Sequence, residues 1–252
     1  MMKLLKYDIK QNANTVLGLA AVLVIVQGLL SIAGNLRNWD GEAIFVLTIV
    51  LYLAAAIILI VQACKTFAYN IKAYHRRLLP LHPVWTILSS LLFSWIVALM
   101  IAGIIAVHAA IYFSLAKIPI DFVSIELVGI KDVILMIISI VWIYTLLILT
   151  IFTSITIGAS VSIQGKAGTW VGIISFFVIQ NGMSWLESLL FGGNDSSMLN
   201  YGTIHFGTSE EIQSGTAEAV NIMSLGSFLF EVALVALMVY AISYLLRKRV
   251  QI

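Results

Sequence analysis

The sequence predicts an all-α protein that crosses a membrane six times, and three observations lead to this fold class. Of its 252 residues, 61% are apolar and only 10% are charged, whereas soluble domains carry about 25% charged residues. Six segments reach the roughly 20 apolar residues that a membrane-spanning helix needs. None of the three prolines falls inside such a segment, so each can form a continuous helix. The predicted spans cover residues 15–34, 43–64, 84–115, 133–163, 169–191 and 219–246 of a single 252-residue domain.

The loop charges predict the orientation of these spans. Eleven of the fourteen lysines and arginines fall on the side that holds both termini, the loop 65–83 and the short loop around Lys166. Nine of the twelve acidic residues fall on the opposite side, several of them in the outer loop 192–218. Because cytoplasmic loops are enriched in basic residues, both termini are predicted to be cytoplasmic.

The first fourteen residues predict an amphipathic helix that lies on the inner leaflet before the first span. Leu4, Leu5 and Ile9 supply its apolar positions, and three lysines supply its basic ones. A short basic helix of this kind binds the membrane–water interface.

Residues 65–83 form the only long, strongly basic interruption of the apolar chain. Phe67, Ile71, Tyr74 and Leu78 recur on one face of a predicted helix, which prolines end. The predicted cytoplasmic location explains the positive charge of this segment. It does not explain the apolar stripe, which must be buried against another surface. We therefore expect a helix that docks on a partner protein or rests on lipid, with docking favoured.

Small residues in the fourth and fifth spans predict a close helix contact. Thr150, Ser154, Gly158 and Ser162 are spaced by four, and Gly168 and Gly172 open the next span. Small residues on one stripe let helix backbones approach closely. The sequence leaves open whether this contact is ordinary packing within the chain or one that slides during a transport cycle.

Three polar residues inside the spans are candidates for lining a translocation path. Glu231 is expected near mid-membrane in the sixth span, where a carboxylate must face protein or a water-filled cavity. Gln180 and Glu187 share one face of the fifth span with Ser184. Hydrogen bonds between helices are the alternative for all three. His108, in the third span, is expected to be a packing residue.

No enzyme motif is found in the sequence. It contains no H-E-x-x-H and no Cys/His metal spacing, and Gln164-Gly165-Lys166 lacks both the first glycine and the hydroxyl residue of a phosphate-binding loop. The single cysteine excludes an internal disulfide. We therefore expect no catalytic residue, no metal, no cofactor and no nucleic-acid partner.

The order of these parts resembles the six-span permease subunits of ATP-binding-cassette exporters of the type-2 class. It is most similar to small Gram-positive permeases of peptide-resistance, lantibiotic-immunity and sodium-export systems, and the local match is R-R-L-L-P-L-H-P, residues 76–83. The resemblance implies a bacterial plasma-membrane protein that pairs with a second permease subunit, the same or homologous, and with a separate ATPase subunit. It also implies an exported antimicrobial peptide or lipid-like substrate. The implied ATPase-docking residues are Tyr74, Arg76, Arg77, Leu78 and Leu79, with a second contact around Lys166.

Two other readings remain open. One is a self-sufficient membrane module that captures a substrate, such as the capture subunit of an energy-coupling importer, with its binding residues in the loop 192–218. The other is an intramembrane enzyme. The second is disfavoured because Ser184 has no histidine in the inner half of a neighbouring span.

Overall fold

In a computed structural model, the chain is an all-α polytopic membrane protein with six helices long and apolar enough to span a bilayer. The structure describes residues 2–37, 39–72, 82–116, 130–161, 167–191, 203–206, 218–221 and 225–248. The predicted fold class is confirmed. The elements are α1 (Met2–Leu36), α2 (Gly41–Lys72), α3 (Pro83–Ala116), α4 (Ile130–Val161), α5 (Ala167–Phe191), β1 (Thr203–Phe206), β2 (Glu218–Asn221) and α6 (Leu225–Lys248).

The helices fall into two compact units, divided after Ala116. In unit 1, each of α1, α2 and α3 packs against the other two. Phe93, Val97 and Ile101 on α3 project into its centre and meet Val16 of α1 and Leu59 of α2. These side chains recur every four residues along α3, so one continuous face of the helix is buried.

Unit 2 contains α4, α5, α6 and the two strands, and α4 packs against both other helices. The buried side chains of α4 include Ile148, Leu149 and Phe152, and those of α6 include Met238 and Ile242. Positions 148, 149 and 152 lie within about one helical turn of each other, so their side chains share one face of α4. The α4 helix is therefore central to this unit.

The first helix differs from the predicted surface segment followed by a span. α1 is continuous from Met2 to Leu36, and no break separates its first fourteen residues from the rest. The buried face there is formed by Leu4, Asp8, Asn12 and Val16. The prediction of a separate interfacial helix was based on three apolar residues set against three lysines. It missed that Asp8 and Asn12, at the same spacing as Leu4 and Val16, are buried against protein.

The second helix continues beyond the predicted end of its span. α2 runs to Lys72, eight residues past Cys64, and it carries Phe67 and Ile71 into unit 1, where they are 0% and 3% exposed. Phe67 and Ile71 therefore need neither lipid nor a partner protein to cover them, and this half of the apolar stripe gives no argument for docking. The other half, Tyr74 and Leu78, lies outside the described residues.

The predicted start of the sixth span is wrong by six residues. Residues 219–221 belong to β2, which pairs antiparallel with β1 so that Thr203 faces Asn221 and Phe206 faces Glu218. The helix α6 begins only at Leu225. A hydropathy window cannot detect such a difference, because residues 219–223 are mostly apolar, although the backbone of 218–221 pairs with that of 203–206. The short helix predicted near Glu210 lies outside the described residues.

Candidate functional site

The predicted ATPase-docking residues lie outside the described part of the chain. Tyr74, Arg76, Arg77, Leu78 and Leu79 fall within 73–81, and Lys166 falls within 162–166. The structure does describe the two helix ends that residues 73–81 connect. α2 ends at Lys72 and α3 begins at Pro83.

A buried carboxylate joins these helix ends. Asp8 of α1 is 0% exposed; its Oδ1 accepts a hydrogen bond from Asn70 Nδ2 at 3.2 Å and its Oδ2 accepts one from Ser89 Oγ at 2.8 Å. Asn70 Nδ2 also donates to Ser90 Oγ at 3.0 Å. The carboxylate therefore links α1 to both α2 and α3 within two residues of the end of α2. We call Asp8, Asn70, Ser89 and Ser90 the Asp8 cluster.

A second bond pair extends this network along α1. Asn12 Nδ2 donates to the backbone oxygen of Asp8 at 2.8 Å, and Gln62 Nε2 donates to Asn12 Oδ1 at 2.8 Å. The sequence reading missed this site altogether. The signal was present as Asp8 and Asn12 at the same four-residue spacing as Leu4 and Val16, since that spacing places all four on one helix face.

In unit 2, Glu231 is bonded to a tryptophan. Trp142 Nε1 of α4 donates to Glu231 Oε2 at 2.5 Å, and the Trp142 ring packs on Phe228 with centroids 4.9 Å apart. Glu231 is only the seventh residue of α6, about 9 Å from the first residue of that helix at 1.5 Å per residue. The expectation of a mid-membrane carboxylate is therefore corrected, because the helix starts later than predicted.

Glu187 lies next to this pair. Its Oε1 accepts a hydrogen bond from Ser227 Oγ, one turn from Glu231 on α6, and the two carboxylates are close enough to interact electrostatically. Glu187 is four residues from the end of α5, so both acids lie toward the predicted outer ends of their helices. We call Trp142, Glu187, Ser227 and Glu231 the Glu231 cluster.

Gln180 does not join the Glu231 cluster. It lies two turns from Glu187 on the same face of α5, and it is exposed on unit 2. Ser184, between them, is exposed as well. The predicted polar stripe thus starts at the contact between α5 and α6 and continues onto the surface of the unit.

Unit 1 contains a third polar cluster, around His108. Gln27 Nε2 of α1 donates to Thr48 Oγ1 of α2 at 2.9 Å and lies 3.2 Å from His108 Nε2 of α3. Ser31 Oγ is also 3.2 Å from His108 Nε2, and the Tyr52 ring meets the imidazole edge-on at 5.9 Å. The reading of His108 as a packing residue fits these contacts. We call the five residues the Gln27 cluster, and the sequence reading missed four of them.

The predicted close contact between the fourth and fifth spans is confirmed, and it lies within this chain. A Cβ atom added to Gly158 of α4 would lie 2.5 Å from the backbone oxygen of Gly168 of α5 and 3.1 Å from Gly172 Cα. One added to Gly172 would lie 3.2 Å from Ser154 O. Only glycine allows the two backbones to approach this closely.

Neither a family model, nor a curated protein, nor a solved structure matches this chain. The described residues contain no group of three or more His, Cys, Asp or Glu side chains that could hold a metal ion.

Proposed function

We propose that this chain is the permease subunit of an ATP-binding-cassette exporter in a bacterial plasma membrane. It forms the translocation path together with a second permease subunit, the same or homologous. A separate ATPase subunit hydrolyses ATP and acts on the loop after α2. The exported substrate is an antimicrobial peptide or a lipid-like molecule.

The observation that carries this proposal is the Asp8 cluster at the predicted inner end of unit 1. α1, α2 and α3 contain 35, 32 and 34 residues, which gives lengths of about 48–52 Å, against about 30 Å of hydrocarbon. The three helices therefore continue beyond the membrane core. Asp8 ties their ends together within two residues of the end of α2, from which the chain continues into the basic segment 73–81. A force passed along the chain from that segment to α2 would therefore reach all three helices.

A buried carboxylate is a costly way to join helices that need only pack. Hydrogen bonds to a charged group contribute about 1.5–3 kcal/mol, but they must first offset the desolvation of the charge. Apolar residues would pack the same junction without that penalty. A directional, hydrogen-bonded junction fixes the relative positions of the three helix ends, which supports a role in transmitting movement.

The Glu231 cluster and Gln180 support a path lined by polar groups. An uncharged amide exposed within a span needs water or a protein partner, because lipid offers no hydrogen bonds. Gln180 would face the path, and Glu187 and Glu231 would lie at its outer end. Such groups suit a substrate that carries polar or cationic groups.

A capture subunit of an energy-coupling importer is the second candidate, and the β1–β2 ribbon favours it. The two strands bring the ends of the outer segment together at Thr203 and Asn221. Such a ribbon on the predicted outer side suits a substrate site in this loop. This candidate predicts tight binding of a substrate by the purified chain alone, through residues 207–217.

Purification of the tagged chain from its native membrane tests the proposal. We expect an ATP-binding-cassette ATPase to co-purify with the wild-type chain and to be lost from the double variant Arg76→Glu/Arg77→Glu. Arg37→Glu, at the opposite end of unit 1, is the matched charge-reversal control. An ATPase that stays at full occupancy on the double variant would reject docking through these arginines, and a wild-type chain that retains no ATPase would reject the proposal.

A further inference from the structure

The Gln27 cluster contains two buried polar atoms that make no hydrogen bond. Gln27 is 2% exposed, and within the described part of the chain no partner reaches its Oε1. The same is true of Tyr52 Oη. A buried polar atom without a partner costs about 1–3 kcal/mol. Two such atoms around the His108 imidazole make this contact between α1, α2 and α3 less stable than apolar packing would be.

Turning the Gln27 amide over does not remove the deficit. In the orientation described, Nε2 contacts both Thr48 and His108, and Oε1 has no donor. In the reverse orientation, Oε1 would take those contacts and Nε2 would lack an acceptor. A group that completes the cluster must donate to Oε1 in the first orientation or accept from Nε2 in the second, and it must also bond the Tyr52 hydroxyl. An uncharged hydroxyl group meets both cases, whereas an ammonium meets only the first and brings a charge into a buried site.

An apolar groove lies one helical turn inward of the cluster on all three helices. Leu23 precedes Gln27 by four residues, Ile104 precedes His108 by four, and Ala55 follows Tyr52 by three. The groove has a volume of about 180 Å³ and belongs to unit 1. Its lining is apolar throughout: Leu19, Ala20, Val22, Leu23, Val26, Leu51, Ala54, Ala55, Ile58, Leu59, Met100, Ile101 and Ile104.

We propose that unit 1 binds a single-chain amphiphile with an uncharged hydroxyl head, whose head group bonds Gln27 and Tyr52 and whose tail occupies the groove. The cluster and the groove contain no Asp, Glu, Lys or Arg, and a charged head would be strongly disfavoured at this depth. Because Gln27 Oε1 and Tyr52 Oη are buried, binding of the head group requires these side chains to rotate. Whether the amphiphile is a resident lipid or the exported cargo is a separate point, and the cargo assignment rests on the proposed function.

The head group decides the affinity, because lipid tails are as apolar as the groove and leave little hydrophobic driving force. We therefore compare probes with one tail and different heads: 1-dodecanol, dodecyl methyl ether and dodecylamine. Binding of labelled 1-dodecanol to the purified full-length chain is measured in dodecyldimethylamine oxide, a detergent without hydroxyl groups. Removing one hydrogen bond should weaken binding about three- to tenfold, so the ether and the amine should compete that much less well.

The variant Tyr52→Phe separates binding from stability. It removes only the unpartnered hydroxyl and keeps the ring against His108. We expect about three- to tenfold weaker binding of 1-dodecanol, with no loss of thermal stability in the ligand-free chain. A residue with a purely structural role would lose stability and leave binding unchanged. Tyr69→Phe, on the same helix at an exposed position, is the control and should change neither quantity.

Equal affinity for the alcohol and the ether, or full binding by Tyr52→Phe, would overturn the proposal. These measurements use the chain alone, so they stand even if no ATPase partner is found. The cargo assignment is tested in the complex with the ATPase. Release of bound 1-dodecanol on addition of MgATP supports a cargo, and retention through many turnovers identifies a resident lipid and rejects the cargo assignment.

Discussion

The two units of this protein hold their helices together in different ways. In unit 1, side chains reach across helix contacts, as in the Asp8 cluster and between Gln27 and Thr48. In unit 2, side chains also bond across helices in the Glu231 cluster, but the closest contact, between α4 and α5, is made by backbone at Gly158. The buried hydroxyls of α4 bond to their own helix. Thr150, Thr153, Ser154 and Thr156 each donate to the backbone oxygen four residues earlier.

This difference has a mechanical consequence. A hydrogen bond between two helices restrains their relative position along the axis, because a shift of about 2 Å or more stretches it to about 3.5 Å, the limit of hydrogen-bonding distance. A backbone contact between small residues fixes the distance between two helices. It restrains their relative position along the axis much less. Unit 1 is therefore suited to move as one body, and the α4–α5 contact of unit 2 is suited to slide. The sliding reading of the small-residue stripe remains a prediction.

The largest effect is expected at the α4–α5 contact. Gly158→Ala would place a methyl group 2.5 Å from a backbone oxygen, which no side-chain movement can relieve. We expect a loss of more than about 3 kcal/mol of folding free energy, seen as a large fall in melting temperature in detergent. Gly103→Ala is the control, since nothing lies within 4 Å of its added Cβ, and it should be neutral or stabilising. Equal melting temperatures for the two variants would contradict the close contact.

The next largest effect is expected at Asp8. Asp8→Ala removes the acceptor of two hydrogen bonds and leaves Asn70 and Ser89 short of a partner, so we expect a loss of about 2–4 kcal/mol. Asp8→Asn keeps the shape and one oxygen and should lose less. Lys10→Ala, at an exposed position two residues along α1, is the control. An Asp8→Ala variant as stable as the control would show that the junction does not depend on the carboxylate.

A smaller effect is expected in the Glu231 cluster. Trp142→Phe removes the indole donor to Glu231 and should cost about 0.6–1.7 kcal/mol, the range of hydrogen bonds between membrane helices. Glu231→Gln keeps an acceptor and should cost less. If Glu231 lines the path, Glu231→Gln and Glu231→Ala should both impair export in cells. Unchanged export in both variants would assign Glu231 to packing alone.

The smallest effect is expected where a hydroxyl bonds only to its own helix. Thr156→Val has nearly the same shape as the wild type and loses a bond to the Phe152 backbone oxygen, which remains bonded within the helix. We expect a change of at most about 0.5 kcal/mol. Ser89→Ala, which removes a bond between helices, should cost at least twice as much when measured in the same melting assay. Equal losses of stability in Thr156→Val and Ser89→Ala would contradict the claim that bonds between helices matter more than bonds within one helix.

The number and type of elements could be predicted because hydropathy is a local property of the sequence. The start of α3, the end of α5 and the contact at Gly158 followed from apolar length, proline position and the spacing of small residues. The end of α2 and the start of α6 did not. α2 continues past its predicted end because Phe67 and Ile71 are buried by other helices. α6 starts later than predicted because the residues before it form β2, which pairs with β1.

The sites were harder to predict because each depends on which helices meet. Glu231 stood out as a carboxylate within a span, but its partner Trp142 is 89 positions away. Asp8 was hidden among lysines at the start of the chain, and its burial follows from Asn70 and Ser89 on two other helices. Gln27 gave no signal alone, since its environment is set by Thr48 and His108.

The most direct test of the account is photo-cross-linking from the loop that follows α2. Tyr74→p-benzoylphenylalanine in the otherwise intact chain should give, in native membranes, a covalent adduct with an ATP-binding-cassette ATPase. The same replacement at Tyr240, which is 71% exposed on α6, should not. Asp8→Ala should weaken the adduct from position 74, because it releases the end of α2, from which the loop continues. A cross-link from position 74 to lipid alone would contradict the proposed docking, since the loop would then rest on the membrane rather than on an ATPase subunit.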